Sequence, residues 1–215
     1  MSTDITELSS KFKVKKRLNE VLKLEEPPDK VLIVLLDCSG SMFDIYNSGK
    51  TKLDAVWNAL QNELSPRMAG WGYGIILFSD TAEWAVQPTV NINKLKIMTQ
   101  PRIRGGTSIK LGLASCWDWI KQYKANSRII LMSDGVPTDA PPDLILALAE
   151  QNKTIPIDTV GVGNHTVPGS YDPLFLQTLS RITGGIYCEI ATVKELALTV
   201  KQLSPEERPL LGRVS

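Results

Sequence analysis

The sequence predicts an α/β domain in which helices cover both faces of an open, doubly wound sheet. From residue 31 onward, short aliphatic runs alternate with amphipathic helical segments, a pattern typical of right-handed βαβ crossovers. The first run, VLIVLLD, is apolar at almost every position, as expected for a strand buried on both faces of a parallel sheet. A chain of 215 residues with 43% hydrophobic content is sufficient for one such domain with a substantial core.

The predicted elements follow one another closely along the chain. Strands are expected at residues 31–37, 72–79, 81–89, 128–134, 155–163 and 185–190. Helices are expected at 9–24, 50–64, near Asn93, and at 107–123, 141–153, 172–185 and 192–203. The strand at 81–89 contains Pro88, which cannot donate a backbone hydrogen bond, and this favours an edge position for that strand.

Three segments are expected along the chain. Residues 1–29 form an N-terminal helical extension, which the prolines of EEPPD bring to an end because they cannot continue a helix. Residues 30–203 form the α/β domain, and residues 204–215 form a flexible C-terminal tail.

Composition excludes several classes of protein. The 24 Lys and Arg residues balance 23 Asp and Glu residues, which argues against a strongly basic nucleic-acid binder. No apolar run approaches the roughly eighteen residues of a membrane span, and the first ten residues lack the layout of a secretory signal. The three cysteines are too few and scattered for a disulfide framework. We therefore expect a cytoplasmic protein.

Three polar clusters follow predicted strands or open a predicted helix. They are DCSGS at 37–41, RGGTS at 104–108 and SDG at 133–135. Function in open α/β sheets gathers beyond the carboxyl ends of the strands, so these clusters are expected to meet there. They supply oxygen ligands, no histidine and a single cysteine. Such a set suits Mg²⁺, Mn²⁺ or Ca²⁺ rather than zinc or copper.

The spacing within DCSGS has a physical basis. Alternate residues of an extended segment project the same way, so Asp37, Ser39 and Ser41 can converge while Cys38 points into the fold. Gly40 would let the backbone turn closely beside an ion. Each fragment alone also fits a helix cap or a turn, but all three at one sheet edge favour an ion site. We expect that site to lie at the protein surface.

The motifs DCSGSM, GGTS and SDG resemble those of the von Willebrand factor A domain, whose metal-ion-dependent adhesion site reads DxSxS, then Thr, then Asp. The resemblance covers residues 30–203. It implies a Rossmann-like, mostly parallel sheet with one antiparallel edge strand, which fits the segment 81–89. It also implies a divalent ion, usually Mg²⁺, held by hydroxyls and by carboxylates acting directly or through water. The implied metal residues are Asp37, Ser39, Ser41, Thr107 and Asp134.

Family members bind protein partners through that ion. Neutral hydroxyl ligands leave the ion under-neutralised, so its open position attracts an Asp or Glu side chain of a partner, or a chain terminus. The expected function is therefore a metal-dependent protein-interaction module. The chain resembles the intracellular prokaryotic members, for which the implied partners are AAA+ ATPases, stress-response proteins of the tellurite-resistance type, and kinase or phosphatase assemblies.

Two alternatives stay open from the residues. One is a Mg²⁺-dependent phosphatase-like hydrolase, although Ser39 stands where such enzymes carry a second carboxylate, and neither GxSxG nor GxxxxGK[ST] is present. We expect the lone His165 to be a solvated loop residue, since no acidic partner is evident beside it. We expect no enzyme activity, because the ingredients of a base and a nucleophile are missing. The other alternative is binding of nucleic acid or a membrane surface through KFKVKKR, for which we favour a solvated helix face.

Overall fold

The computed structural model describes residues 27–45, 49–64, 70–91, 105–163, 172–190 and 199. The predicted helices at 9–24 and near Asn93 lie outside the described residues, as do the tail from residue 204, Arg104 and His165. Only Thr199 of the predicted helix 192–203 is described.

Six strands form one mixed sheet. They are β1 (Lys30–Asp37), β2 (Gly72–Phe78), β3 (Ala82–Thr89), β4 (Asn126–Ser133), β5 (Ile157–Val162) and β6 (Tyr187–Ile190). Their order in the sheet is β3-β2-β1-β4-β5-β6. β3 pairs antiparallel with β2, and every other pairing is parallel. The predicted fold class, with one antiparallel edge strand, is confirmed.

Helices occupy the connections between the strands. They are α1 (Lys52–Ala59), α2 (Ile109–Tyr123), α3 (Pro142–Gln151) and α4 (Pro173–Ile182), with a short 3-10 helix at Gly40–Phe43. The segment predicted as one helix at 50–64 contains two kinds of helix, since a π-helix over Leu60–Leu64 directly follows α1. A capping box between Thr51 and Asp54 begins α1, since each side chain accepts a hydrogen bond from the backbone of the other.

Two apolar layers enclose the sheet, and β1 contributes to both. Leu32, Val34 and Leu36 pack into the layer that α1 covers. Val31, Ile33 and Leu35 pack into the opposite layer, with buried side chains of α2, α3 and α4. All six of these side chains are fully buried. The uninterrupted aliphatic run of β1 therefore reflects burial on both faces.

At the middle of the sheet, the connections that follow β1 and β4 run to opposite faces. β1 leads towards α1 on one face, whereas its neighbour β4 leads towards α3 on the other. Connections that diverge in this way leave a crevice between the carboxyl ends of the two strands. Asp37 ends β1 and Ser133 ends β4, so both residues border this crevice.

Candidate metal centre

Asp37 is fully buried and both of its carboxylate oxygens accept hydrogen bonds. The backbone N–H of Ser39 donates to Oδ1 at 2.8 Å, and Ser133 Oγ donates to Oδ2 at 2.6 Å. Burial raises the pKa of Asp37 to about 6, although these hydrogen bonds act in the opposite direction. A nearby cation would favour the ionised carboxylate, so this environment fits a bound metal ion.

A chain of hydrogen bonds joins the two serines of DCSGS to the SDG segment. The hydroxyls of Ser39 and Ser41 lie 3.1 Å apart. Ser41 Oγ donates to Asp134 Oδ1 at 2.7 Å, across 93 positions of sequence. Ser41 is exposed, whereas Ser39 is buried. The structure therefore brings the side chains of these two serines and Asp134 together at one edge of the sheet.

Thr107 reaches the same edge from a separate loop. A Cβ atom added to Gly135 would lie 2.9 Å from Thr107 Oγ1, so the threonine hydroxyl packs directly against the residue after Asp134. Asp80 Oδ1 accepts a hydrogen bond of 2.6 Å from Gly106 N–H. A Cβ atom on Gly105 or Gly106 would lie 2.7 Å from an Asp80 carboxylate oxygen. The paired glycines therefore permit the close approach of this loop to Asp80.

Backbone contacts fasten the surrounding loops to one another. Gly40 N–H donates to the carbonyl of Gly105 at 3.3 Å, and Ser108 N–H donates to the carbonyl of Ser79 at 2.8 Å. Gly40 does not have a positive φ, and the nearest atom to an added Cβ is 4.0 Å away. Within this structure the glycine is therefore not required by backbone conformation.

Burial corrects one expectation about this centre. We expected an ion site at the protein surface, but Asp37 is 0% exposed and Asp134 is 1% exposed. The carboxylates are buried whereas Ser41 is exposed, because Asp37 ends β1 and Asp134 directly follows β4, the two central strands of the sheet. The expectation of a surface site is therefore wrong for the carboxylates.

Lys52 is a member of this site that the sequence analysis missed. Its Nζ donates to Asp134 Oδ2 at 2.5 Å, and only 8% of the residue is exposed. The sequence holds one indication of this role: Lys52 lies at the start of a helix, where the helix dipole disfavours a cation. A lysine at that position indicates that some carboxylate compensates its charge, but the sequence does not identify Asp134 as that carboxylate.

The donor set consists of hard oxygen atoms. No cluster of three or more His, Cys, Asp and Glu side chains occurs within the described ranges, so a bound ion would also need the hydroxyls of Ser39, Ser41 and Thr107. Carboxylate, hydroxyl and water oxygens are the ligands that Mg²⁺ and Ca²⁺ prefer. The residues present therefore fit such an ion.

The sequence matches a known protein family over part of its length. Residues 32–136 match the family model of the von Willebrand factor type A domain. This range contains most of β1, all of β2 to β4 and all five residues of the predicted metal set. A search of curated proteins finds no match.

Solved structures share the fold at low identity. A von Willebrand factor type A protein from Catenulispora acidiphila is 19% identical, with a TM-score of 0.67 over 84% of this chain and 43% of its own. An aerotolerance-related membrane protein from Bacteroides fragilis is 18% identical, with a TM-score of 0.64 over 82% of this chain and 98% of its own.

A third structure concerns the metal motif of another protein. Proximal thread matrix protein 1 from the mussel byssus was solved with a zinc-occupied MIDAS motif. It is 14% identical to this chain, with a TM-score of 0.60 over 83% of this chain and 45% of its own. In the part of the present chain that the structure describes, no helix is long and apolar enough to cross a membrane. Residues 32–136, just under half of the chain, therefore match the von Willebrand factor type A family, and the six-stranded sheet has the fold of the solved structures above.

Proposed function

We propose that this protein is a divalent-metal-dependent interaction module that binds an acidic side chain of another protein. The family is commonly such a module and is generally not enzymatic. The observation that carries the proposal is the convergence at one sheet edge of side chains from three chain segments. Ser39 contacts Ser41, Ser41 contacts Asp134, and Thr107 packs against the residue that follows Asp134.

The metal residues we propose are those predicted from the motifs. They are Asp37, Ser39, Ser41, Thr107 and Asp134. Both carboxylates already accept two hydrogen bonds each from protein donors, which favours contact with the ion through water or through remaining lone pairs. Mg²⁺ is the ion proposed, with Mn²⁺ and Ca²⁺ as alternatives. When bound, the ion supplies a positive charge that an incoming carboxylate can ligate.

Exposed apolar side chains beside the site favour a protein as the partner. Phe43 and Ile45 lie two and four residues after Ser41 and are 59% and 80% exposed. Val136 lies two residues after Asp134 and is 49% exposed. A small carboxylate would leave such side chains in water, whereas a protein surface can cover them around a central acidic residue.

The wider setting follows from the sequence resemblance. We propose that residues 30–203 form the interaction domain of a cytoplasmic prokaryotic protein. The proposed partners are an AAA+ ATPase, a stress-response protein of the tellurite-resistance type, or a kinase or phosphatase assembly. Co-purification with the native neighbouring proteins, with and without a chelator, would distinguish these classes.

Calorimetric titration with Mg²⁺ and Mn²⁺ tests the metal site. Asp37→Asn and Ser39→Ala are expected to weaken metal binding at least tenfold, since each alters a proposed ligand. Ser115→Ala is a matched control, because that hydroxyl donates to the Leu111 carbonyl within α2. Unchanged metal affinity in both site variants, with the fold intact by circular dichroism, would contradict the proposal.

An activity assay tests the hydrolase alternative. The purified protein is expected to show no Mg²⁺-dependent turnover of phosphate esters or nucleotides. Turnover that disappears in Asp37→Asn would favour the hydrolase instead.

A further inference from the structure

Lys52 is a buried cation at the edge of the candidate metal centre. Its ammonium contacts Asp134 Oδ2 at 2.5 Å. The other carboxylate that the described residues bring near it is Asp44, at 3.9 Å, and that side chain is 72% exposed. Because solvent screens the exposed carboxylate, Asp134 is the main partner of the ammonium.

Helix α1 does not itself require a cation at this position. Lys52 is the first residue of the helix, where the partial positive charge of the helix terminus disfavours a cation. The N-terminus is already capped by Thr51 and Asp54. The position of the lysine is therefore explained by Asp134 and not by the helix.

We propose that Lys52 is an internal cation that competes with the divalent ion for Asp134 and leaves the bound ion with positive charge for an acidic partner to neutralise. This inference rests on the proposed metal-binding function. It assigns to Lys52 a positioning and charge-balancing role, and it does not make the lysine a metal ligand.

The charge balance supports this role. When Asp37 and Asp134 are ionised, the ammonium of Lys52 reduces the two negative charges of the buried carboxylates to one. A divalent ion bound there leaves the centre with one positive charge. Without the ammonium, the two carboxylates would neutralise the ion completely. Lys52 therefore weakens metal binding and strengthens the attraction for an acidic side chain.

The hydrogen-bond geometry supports the same conclusion. Asp134 Oδ1 accepts from Ser41 Oγ at 2.7 Å, and Oδ2 accepts from Lys52 Nζ at 2.5 Å. The ammonium therefore occupies one lone pair of the carboxylate and also fixes its orientation. A divalent ion must share Asp134 with a cation that the fold keeps in place.

Calorimetric titration with Mn²⁺ tests the inference in the wild type and in three variants. Lys52→Met is expected to bind Mn²⁺ about tenfold more tightly than the wild type, since a buried opposing charge is removed. Lys52→Arg keeps the charge and is expected to bind close to the wild-type affinity. Lys50→Met is the matched control, because it removes an exposed charge two residues away.

A carboxylate probe tests the second half of the inference. Acetate added to the Mn²⁺-loaded protein is expected to displace metal-bound water and so lower the water-proton relaxation rate. The Lys52→Met variant is expected to require several-fold more acetate for the same decrease. Equal acetate dependence in both proteins would overturn the assignment of residual positive charge.

The stability of the variant needs its own measurement, because Lys52→Met leaves Asp134 buried without its ammonium. Thermal unfolding at increasing Mn²⁺ reports binding through the folded state, and Lys52→Met is expected to show the larger rise in midpoint. If the wild type binds Mn²⁺ and Lys52→Met binds equally or more weakly, the inference fails and the proposed function stands. The inference would also be overturned if Lys52→Arg bound Mn²⁺ as tightly as Lys52→Met, because the arginine keeps the positive charge.

The remaining outcomes separate the two proposals. Binding in Lys52→Met alone would support the competing cation but overturn metal binding by the natural chain. Absence of binding in every folded variant would overturn both.

Discussion

Thr107 and Thr138 are joined by two hydrogen bonds that run in opposite directions. Thr107 N–H donates to Thr138 Oγ1 at 2.8 Å, and Thr138 N–H donates to the Thr107 carbonyl at 3.0 Å. Next to this pair, Asp139 accepts from the backbone N–H groups of Lys110 and Leu111. The segment after β4, which carries Asp134, is therefore tied to the start of α2. We conclude that Thr107 and Asp134 are held as one unit.

Removing the Thr138 hydroxyl tests this connection. Thr138→Val keeps the shape of the side chain but removes the acceptor for Thr107 N–H. We expect a stability loss of about 1 kcal/mol and faster hydrogen exchange at the Thr107 amide. Hydrogen exchange followed by NMR measures the second effect. Thr154→Val, at an exposed position, is the control, and identical Thr107 exchange in the two variants would argue against the connection.

Asp134 is expected to matter for stability as well as for metal binding. Asp134→Ala leaves the Lys52 ammonium buried without its main carboxylate, which typically costs about 3 kcal/mol. Urea denaturation in EDTA measures this cost without a metal contribution. The double variant Lys52→Met/Asp134→Ala is expected to regain at least half of the loss. A single Asp134→Ala variant as stable as the wild type would show that the ion pair contributes nothing.

Gly135 is expected to control the position of Thr107. A methyl group added in Gly135→Ala would lie 2.9 Å from Thr107 Oγ1, closer than carbon and oxygen approach without a shift. We expect roughly tenfold weaker Mg²⁺ binding, measured by calorimetry, about 1.4 kcal/mol. Gly40→Ala adds the same group where the nearest atom, the Gly105 carbonyl oxygen, is 4.0 Å away, and it is expected to bind normally. If Gly135→Ala acts through Thr107, its effect should shrink in a Thr107→Ala background.

Thr107 is expected to affect the partner more than the metal. Thr107→Ala should weaken partner binding by about 1–3 kcal/mol, the scale for a lost hydrogen bond to a charged group. Metal affinity should fall less, since two serines and two aspartates remain in the proposed set. The measurement is titration of the partner with both proteins, in Mg²⁺ and in EDTA. Equal binding of the wild type in EDTA would show that the ion does not mediate the contact.

Arg128 and Asp158 form a partly buried ion pair, and we expect it to affect the stability of the fold but not metal binding. Two guanidinium nitrogens of Arg128, Nε and Nη2, each donate to the Asp158 carboxylate at 2.8 Å, and Asp158 is fully buried. Arg128→Met is expected to cost about 3 kcal/mol in urea denaturation, because the carboxylate loses its bidentate partner. Mg²⁺ affinity should not change, since Arg128 lies about 16 Å along β4 from Ser133. Loss of metal binding in a folded Arg128→Met protein would contradict this separation.

The sequence by itself determined the elements and the motifs of this protein. The aliphatic run of β1 requires burial on both faces, which predicts helices on both sides of a parallel sheet. Pro88 favours an edge strand, and β3 lies at the edge. The alternation in DCSGS predicts that Ser39 and Ser41 project together, and their hydroxyls lie 3.1 Å apart. These features depend on local geometry, so residues close in sequence suffice to predict them.

Only the tertiary structure decided which distant residues meet. Lys52 contacts Asp134 across 82 positions, and Thr107 pairs with Thr138 across 31. Local periodicity predicts neither contact, because each contact depends on strand order and on the path of each loop over the sheet edge. The burial of Asp37 was missed for the same reason: its environment is made by Ser133, which the pairing of β1 with β4 brings alongside. The charge balance of the centre therefore comes from sheet topology, which places a lysine and two aspartates at one crevice.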